Sequence, residues 1–409
     1  MAHKKSGKRQ RLQVGPETVQ ALNFGHPWVI ADHYTRQWPT TECGDLAELI
    51  DGQGHLLGTA LLDSSSRIAA RLLSRSRIEL NHDFLSRRLQ VASAGRRWID
   101  RGHTDVWRMI NGEADGLPGL TIDRYADFAL VQYYTTAWDK HLEMVAQSLL
   151  QSGEISGVYA KHRPQQTRKL AAGRGGRRGV GRLVAGEAAP AGLPVVEHGL
   201  RFAVDLAEDL HTGIFPDQRQ NRLALRARAA GCELLNLFAY TGAFSVAAAA
   251  GGARKVTSVD ASARYLEQAR RNFELNGIPA QNHEFLVGDC FVELERLARH
   301  NRRFDIILMD PPSFSSTRKS RFTTGGGTAA LVAQALQLLD AGGLLVTSSN
   351  LQKMPMADYL KELRKGGLQA NRLLQVVEVG GQGPDFPFLP NFPEGQYLKY
   401  VVSVVKEMF

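Results

Sequence analysis

Hydrophobic positions change their rhythm along this chain, and the changes divide it into three zones. Over residues 1–78 the apolar stretches are short, at Leu46–Ile50, Leu56–Leu62 and Ile68–Leu73, and are separated by turn residues such as Asp51-Gly52 and Ser64–Ser66. Short apolar runs between turn signals predict a small β-rich unit. Over residues 79–192 the pattern is mixed. A helix is expected around Phe84–Ile99 and strands near Val106–Ile110, Leu120–Asp123 and Phe128–Tyr134, with Asp115–Gly119 as a turn. Over residues 193–409 strand and helix alternate, which predicts a doubly wound α/β domain. Its expected strands are Leu234–Phe238, Lys255–Val259, Glu284–Val287, Phe304–Met309, Leu344–Ser348, Leu373–Val379 and Tyr397–Val405, the last two as an antiparallel pair. The intervening helices cover Ala243–Ala250, Ser262–Asn276, Phe291–His300, Leu331–Leu339 and Met356–Leu363, with Ser262 as an N-cap and Gly277 as a stop.

Composition narrows this picture. A chain of 409 residues with 43% hydrophobic content can bury large cores in two or three domains. No apolar run approaches the roughly 18 residues of a membrane span, and the N-terminus lacks the apolar segment of a secretory signal. Cys43, Cys232 and Cys290 are scattered and odd in number, which fits a reducing cytoplasm better than a disulfide framework or a zinc site. The net charge of +9 favours a polyanionic partner. It is concentrated in the tail (Lys4, Lys5, Lys8, Arg9, Arg11) and in a Gly/Ala/Arg-rich stretch carrying Lys161, Arg163, Arg168, Lys169, Arg174, Arg177, Arg178 and Arg182. That stretch reads as a loop or linker without a core. A solvated tether and a phosphate contact are both open, and counterion release favours the second.

The candidate chemistry lies at strand ends of the third zone. The apolar run Phe304–Met309 stops at Asp310-Pro311-Pro312-Ser313-Phe314. Two prolines break the hydrogen-bond ladder there, either as a stiffened strand exit or as a rigid rim for a flat base. Ligands of open α/β sheets sit at such carboxyl ends. Leu234–Phe238 is followed by Ala239-Tyr240-Thr241-Gly242, where one glycine allows a tight turn into a helix and close backbone approach to a ligand. The dinucleotide fingerprint of three glycines is absent. Asp260 ends the second strand, eighteen positions on, where an acid can accept both ribose hydroxyls. Asp289 follows the third strand, placed for an adenine amine, and Asp310 follows the fourth. Each alone suits a cap or turn. Together they point to S-adenosylmethionine, with a nicotinamide cofactor as the alternative. Upstream, Arg219 in His211–Arg219 either pairs with a cofactor carboxylate or merely opens a helix capped by Asp217.

Several motifs make the resemblance specific. They are Gly25–Trp28, Ile68–Arg71, Asn111–Tyr125, Thr212–Arg219, Asn236–Gly242, Asp310–Phe314 and Pro393–Lys399. With them the chain resembles bacterial class I 23S rRNA methyltransferases that join a PUA domain to a central RNA-binding domain and a Rossmann-like catalytic domain. The resemblance covers nearly the whole chain outside 165–190. It implies an α/β, seven-stranded Rossmann-like methyltransferase domain behind a PUA-like domain and an α+β central domain. It also implies that Gln218, Arg219, Asn236, Phe238, Tyr240, Thr241, Gly242, Asp260 and Asp289 line the cofactor site. Asp310, Pro311, Phe314 and Asn350 would hold the reacting base, with Ser349 giving a further hydrogen bond.

Departures from the family pattern redirect the chemistry. Cytosine-C5 members place a cysteine after the next strand, where this chain reads Val346-Thr347-Ser348-Ser349-Asn350. A serine hydroxyl is almost wholly protonated at neutral pH and is a poor nucleophile. Cys290 is expected to pack beside the cofactor as an inert thiol. The Ser-Asn pair resembles relatives that methylate guanine N7. Glu208–His211 and Phe386 also depart from the usual pattern. The expected function is S-adenosylmethionine-dependent methylation of a base of large-subunit rRNA, at a ring nitrogen such as guanine N7. Cytosine-C5 methylation and a non-catalytic assembly factor are the alternatives. The tail, Arg318, Lys319, Arg321 and the Arg-rich segment would grip phosphates. The expected partner is rRNA, in the cytoplasm and without a membrane, and a homodimer is left open.

Overall fold

The computed structural model describes residues 9–63, 67–163, 180–208, 211–312, 314–316 and 321–408, with 314–316 and 321–326 described through their backbone. Ser64–Ser66, the tail lysines, Arg168 to Arg178, Asp209, Leu210, Ser313, Arg318, Lys319 and the side chains of Phe314 and Arg321 lie outside the described residues.

The first zone forms a five-stranded sheet in the order Arg11–Gln13, Leu46–Ile50, Leu56–Leu62, Ile68–Ser74, Trp28–Ile30. Period-two alternation gives its strands two destinations. Ala60 and Leu62 join Leu12, Leu22, Val29 and Leu49 in a core of their own, whereas Leu61 and Leu73 join the core of the central zone. The motif residues Trp28 and Arg71 form the joint between the two zones. Both reach Glu113, by 2.8 Å from Trp28 Nε1 and 3.4 Å from Arg71 Nη1, and Arg71 also pairs with Asp63.

The central zone is a five-stranded mixed sheet with strand order Arg182–Gly186, Gly157–His162, Phe128–Tyr133, Leu120–Tyr125, Val106–Asn111. Helices His82–Gly95 and Leu142–Leu150 cover one face through Leu85, Ala92, Leu142, Val145 and Leu149. Two strands are additions to the expected set, and one corrects the reading of the Arg-rich segment. Arg182–Gly186 pairs antiparallel with Gly157–His162, so the segment's end belongs to the sheet. Lys161 pairs with Gln132 on the other side of its strand and is 1% exposed, so its ammonium is not on a phosphate-binding surface. The opposite face packs on an antiparallel hairpin, Leu193–Glu197 with Leu200–Val204, absent from the sequence reading. Val195, Phe202, Leu130 and Tyr159 there share a core with Val246 and Phe273 of the third zone.

That zone carries seven strands in the order Glu284–Val287, Lys255–Asp260, Glu233–Leu237, Phe304–Met309, Leu339–Ser349, Lys399–Glu407, Arg372–Gly380. The first five are parallel, and Lys399–Glu407 runs antiparallel to both neighbours. Strand order reverses between Glu233–Leu237 and Phe304–Met309. Crossover helices therefore leave to opposite faces there and open a crevice at the carboxyl ends. Among the described residues, no helix is long and apolar enough to cross a membrane.

Candidate active site

A cavity of about 380 Å³ occupies that crevice. Its wall includes Asn236, Phe238, Tyr240, Asp260, Asp289, Asp310, Pro311 and Asn350, so these eight expected residues meet in one place. The loop after Glu233–Leu237 is strained in a specific way. Phe238 and Tyr240 adopt φ of 59° and 50°, which costs a non-glycine residue of order 1–3 kcal/mol each. What fixes them is Asp260. Its Oδ2 accepts the Tyr240 N–H and its Oδ1 the Ser262 N–H, both at 2.9 Å. Burial raises the Asp260 pKa, and the two N–H bonds act against this. Each oxygen keeps a lone pair for a hydroxyl. Asp289 Oδ1 accepts the Phe291 N–H at 2.9 Å as the N-cap of helix Cys290–Arg299.

Asn236 supplies a sharper sign of a ligand. Its Nδ2 donates to Ser245 Oγ at 2.9 Å, and Ser245 bonds Ser258 at 2.7 Å beneath the loop. Asn236 is 1% exposed, lines the cavity and leaves Oδ1 without a hydrogen-bond partner. A buried acceptor without a donor is costly, and an ammonium would satisfy it. Phe215, Tyr240 and Tyr265 add an aromatic wall, with ring centroids 5.4 and 4.5 Å apart in succession. The Asp260 and Asp289 carboxylates, an acceptor lone pair and a wall of tilted and edge-on rings fit an adenosine bearing a positively charged amino-acid tail.

Three expected cofactor residues turn elsewhere, and a fourth stays on the cavity wall. Arg219 is 1% exposed and turned away from the cavity. It pairs with Asp385 at 2.7 Å and donates to the Val106 carbonyl at 3.2 Å. Gln218 lines the cavity, and its amide is hydrogen-bonded within the protein. Nε2 donates to Asp310 Oδ2 at 3.1 Å and to Ser348 Oγ at 2.8 Å, and Oε1 accepts from Asn221 at 2.6 Å. Thr241 donates to the Gly213 carbonyl and is wholly buried. Gly242, at φ 76°, faces Ala269 rather than a ligand, since a Cβ there would stand 2.7 Å from the Ala269 Cβ. Gly242→Ala should therefore cost about 2–4 kcal/mol through left-handed strain and overpacking. Urea unfolding checks this, and a loss below about 0.5 kcal/mol would refute the packing role.

The base end of the cavity is built around Asp310. Burial pushes its pKa up to about 6, Asp217 adds to the rise, and hydrogen bonds from Ser348 and Gln218 oppose it. Ser349, expected to face a substrate, is buried, and its Oγ accepts the Leu351 N–H at 3.3 Å. Lys399 steadies the same turn. Its ammonium donates to the carbonyls of Leu351 (2.6 Å) and Tyr397 (2.7 Å), and burial lowers its pKa to about 8. Asn350 is exposed at the rim. Cys290 is buried and its thiol is held protonated by burial. It lines the same cavity but follows Glu284–Val287, which two strands separate from Phe304–Met309, the strand that ends at Asp310.

Sequence reasoning passed over Phe215, Tyr265, Ser348 and the role of Asp217. Asp217 does not cap the short helix Pro216–Gln218. Its Oδ2 instead accepts the Tyr397 hydroxyl at 2.7 Å. The polar density of Thr212–Arg219 was the available signal, but not the direction of each side chain.

The sheet order, the acids at successive strand ends and the orphaned acceptor define an S-adenosylmethionine-dependent methyltransferase. The chain belongs to that family: residues 115–392 match the S-adenosylmethionine-dependent methyltransferase model, and residues 12–75 match a PUA-like domain. Among its relatives, "Ribosomal RNA large subunit methyltransferase I" of Klebsiella pneumoniae is 35% identical over 395 residues, covering 95% of this chain and 96% of that protein. The protein of the same name from Escherichia coli is 34% identical, covering 95% and 98%. A solved methyltransferase complexed with SAH superposes with a TM-score of 0.85 at 29% identity, covering 97% of this chain and all of that one.

Proposed function

We propose that this chain methylates a base of large-subunit ribosomal RNA, at a ring nitrogen such as guanine N7. The rRNA assignment is supported by the names of the relatives at 34–35% identity and by the PUA-like domain. The observation that carries the choice of atom is the base end of the cavity. Asp310 is anchored by Gln218 and Ser348, and no described thiol stands beside it. Cytosine-C5 transfer needs a nucleophile that adds to the ring, and Ser348 is instead engaged by Gln218 and Asp310. A ring nitrogen with its own lone pair needs no such adduct.

In this reading Asp260 takes the ribose hydroxyls, Asp289 the adenine amine and Asn236 Oδ1 the ammonium of the cofactor. When bound, the cofactor supplies a methyl group activated on a sulfonium. Asp310 and the Pro311 carbonyl hold the polar edge of an unstacked base, and Asn350 closes the rim. Catalysis then rests on orientation and on exclusion of water by the aromatic wall. Cationic segments at the tail and at 165–190 would contact phosphates. Domain limits near 78 and 192, a cytoplasmic setting and a homodimer belong to the same proposal, the last to be read by analytical ultracentrifugation.

Mass mapping of rRNA nucleosides from a deletion strain tests the substrate. The expected result is loss of one purine methylation, restored by the intact gene and not by Asp310→Asn. Loss of a 5-methylcytosine would overturn the ring-nitrogen reading. Calorimetry showing no S-adenosylmethionine binding would favour the non-catalytic alternative.

A further inference from the structure

The polar groups facing the cavity are unbalanced in charge. Asp217, Asp260, Asp289 and Asp310 all line it. Of the basic groups on the same wall, Arg222 is held bidentately by Glu197 at 2.6 and 2.7 Å. His211 is kept neutral, its pKa lowered to about 4 by burial and by Arg163 and Lys161.

Asp217 differs from the other three acids. Asp260 and Asp289 are tied to backbone N–H groups, and Asp310 to Gln218. Asp217 is braced by a phenol, the fully engaged Tyr397 hydroxyl, at 2.7 Å. It precedes Gln218 in the chain and therefore stands at the Asp310 end, where the two carboxylates repel. Burial raises the Asp217 pKa, and Arg108 and Arg222 act against this rise, but Arg108 is already paired with Asp123 and Arg222 with Glu197. Asn236 Oδ1, on a side chain 1% exposed, is also an acceptor without a donor, but the ammonium it would take is carried by the methylated and the demethylated cofactor alike. Asp260, Asp289 and Asp310 likewise have neutral donors of the ligand or the base to meet, which leaves Asp217 as the carboxylate whose burial in a largely apolar cavity is costly unless a cation arrives.

We propose that Asp217, braced by Tyr397, is a specificity-determining counter-charge that makes this cavity prefer the cationic methyl donor over its neutral, demethylated product. The inference rests on the assignment of the cofactor. In the transfer, the carbon–sulfur bond breaks with its electron pair on sulfur, and the nitrogen lone pair forms the new bond to carbon. Positive charge thus leaves sulfur and appears on the base. A cavity biased in this way loses its hold on the product at the moment of transfer.

Isothermal titration calorimetry on the full-length protein tests this with three ligands: S-adenosylmethionine, S-adenosylhomocysteine, and sinefungin, which carries an amine in place of the methylated sulfonium. The wild type should bind both cationic ligands about tenfold or more tightly than S-adenosylhomocysteine. Asp217→Asn should bring that ratio to within about twofold by weakening the cationic ligands while leaving S-adenosylhomocysteine nearly unchanged. Tyr397→Phe, which keeps the carboxylate but frees it, should reduce the ratio part of the way. Equal weakening of all three ligands in Asp217→Asn would mark a structural role and overturn the proposal. Equal affinities in the wild type would overturn it without any variant. Binding of none of the three would instead remove the cofactor assignment itself.

Discussion

Asp310→Asn should lower kcat/KM for methyl transfer about 10²- to 10³-fold while changing cofactor affinity by no more than about threefold. The carboxylate receives Gln218 at 3.1 Å and the Ser348 hydroxyl, so its remaining lone pairs are directed by two donors. An amide at 310 would keep its oxygen on Gln218 and present an NH₂ to the base. An acceptor would become a donor at the edge being read, and such mismatches are discriminated strongly. Ionisation adds a pH signature. Because the Asp310 pKa is raised to about 6, the acceptor form fills as pH rises through about 6. The wild-type rate should rise over the same interval, and the variant should not follow it. Stability has the opposite sign. A folded-state pKa above the ordinary 3.8 of an aspartate favours the fold below about pH 4, and this advantage is lost as pH rises through about 6. Wild-type stability relative to Asp310→Asn should therefore fall between pH 4 and pH 7 by about 1–3 kcal/mol. Single-turnover assays and urea denaturation across that range check both signs. A pH-independent wild-type rate would remove Asp310 from base recognition.

Arg219→Met should destabilise the protein by about 3–5 kcal/mol, the usual cost of leaving one partner of a buried ion pair alone. Asp385, 1% exposed, would keep the Arg108 N–H at 2.9 Å but lose the Arg219 guanidinium at 2.7 Å. Its own carbonyl also receives Arg96 Nη2 at 3.0 Å, and Asn111 Nδ2 reaches the Pro387 carbonyl at 2.7 Å. The 385–387 segment thus fastens the central sheet to the helix start that carries Gln218. Phe386 is buried with the Arg108 guanidinium 4.4 Å from its ring centroid. Arg219→Met/Asp385→Leu, which removes both charges, should recover most of the lost stability. Chemical denaturation reads the cycle. If Arg219 bound the cofactor instead, the single variant would lose affinity with little change in stability.

Much of the catalytic domain was legible because its signals are local. Apolar runs of the right length gave the seven strands, and Ser262 was readable as a cap, which accepts the Tyr265 N–H at 3.3 Å. The acids at strand ends were legible for the same reason, since a parallel sheet sends all carboxyl ends to one edge. The hairpin Leu193–Val204 was missed because its alternation abuts the Gly/Arg-rich segment and resembles a linker. Arg182–Gly186 was missed because its strand character comes from pairing with Gly157–His162, with partners from Arg182↔Ala160 to Gly186↔Gly157, and not from its own composition.

The order of residues by itself determined the α/β alternation, the acids of the cofactor edge and the break at Asp310-Pro311-Pro312, because backbone preference and hydrophobic period are properties of neighbouring residues. The tertiary structure alone decided which polar side chains face the cavity. Arg219, Thr241 and Gly242 stand within a few positions of true wall residues, yet turn to Asp385, Gly213 and Ala269. Those partners come from distant parts of the chain. A buried polar group points wherever its hydrogen bond can be completed, and that depends on what folding brings beside it.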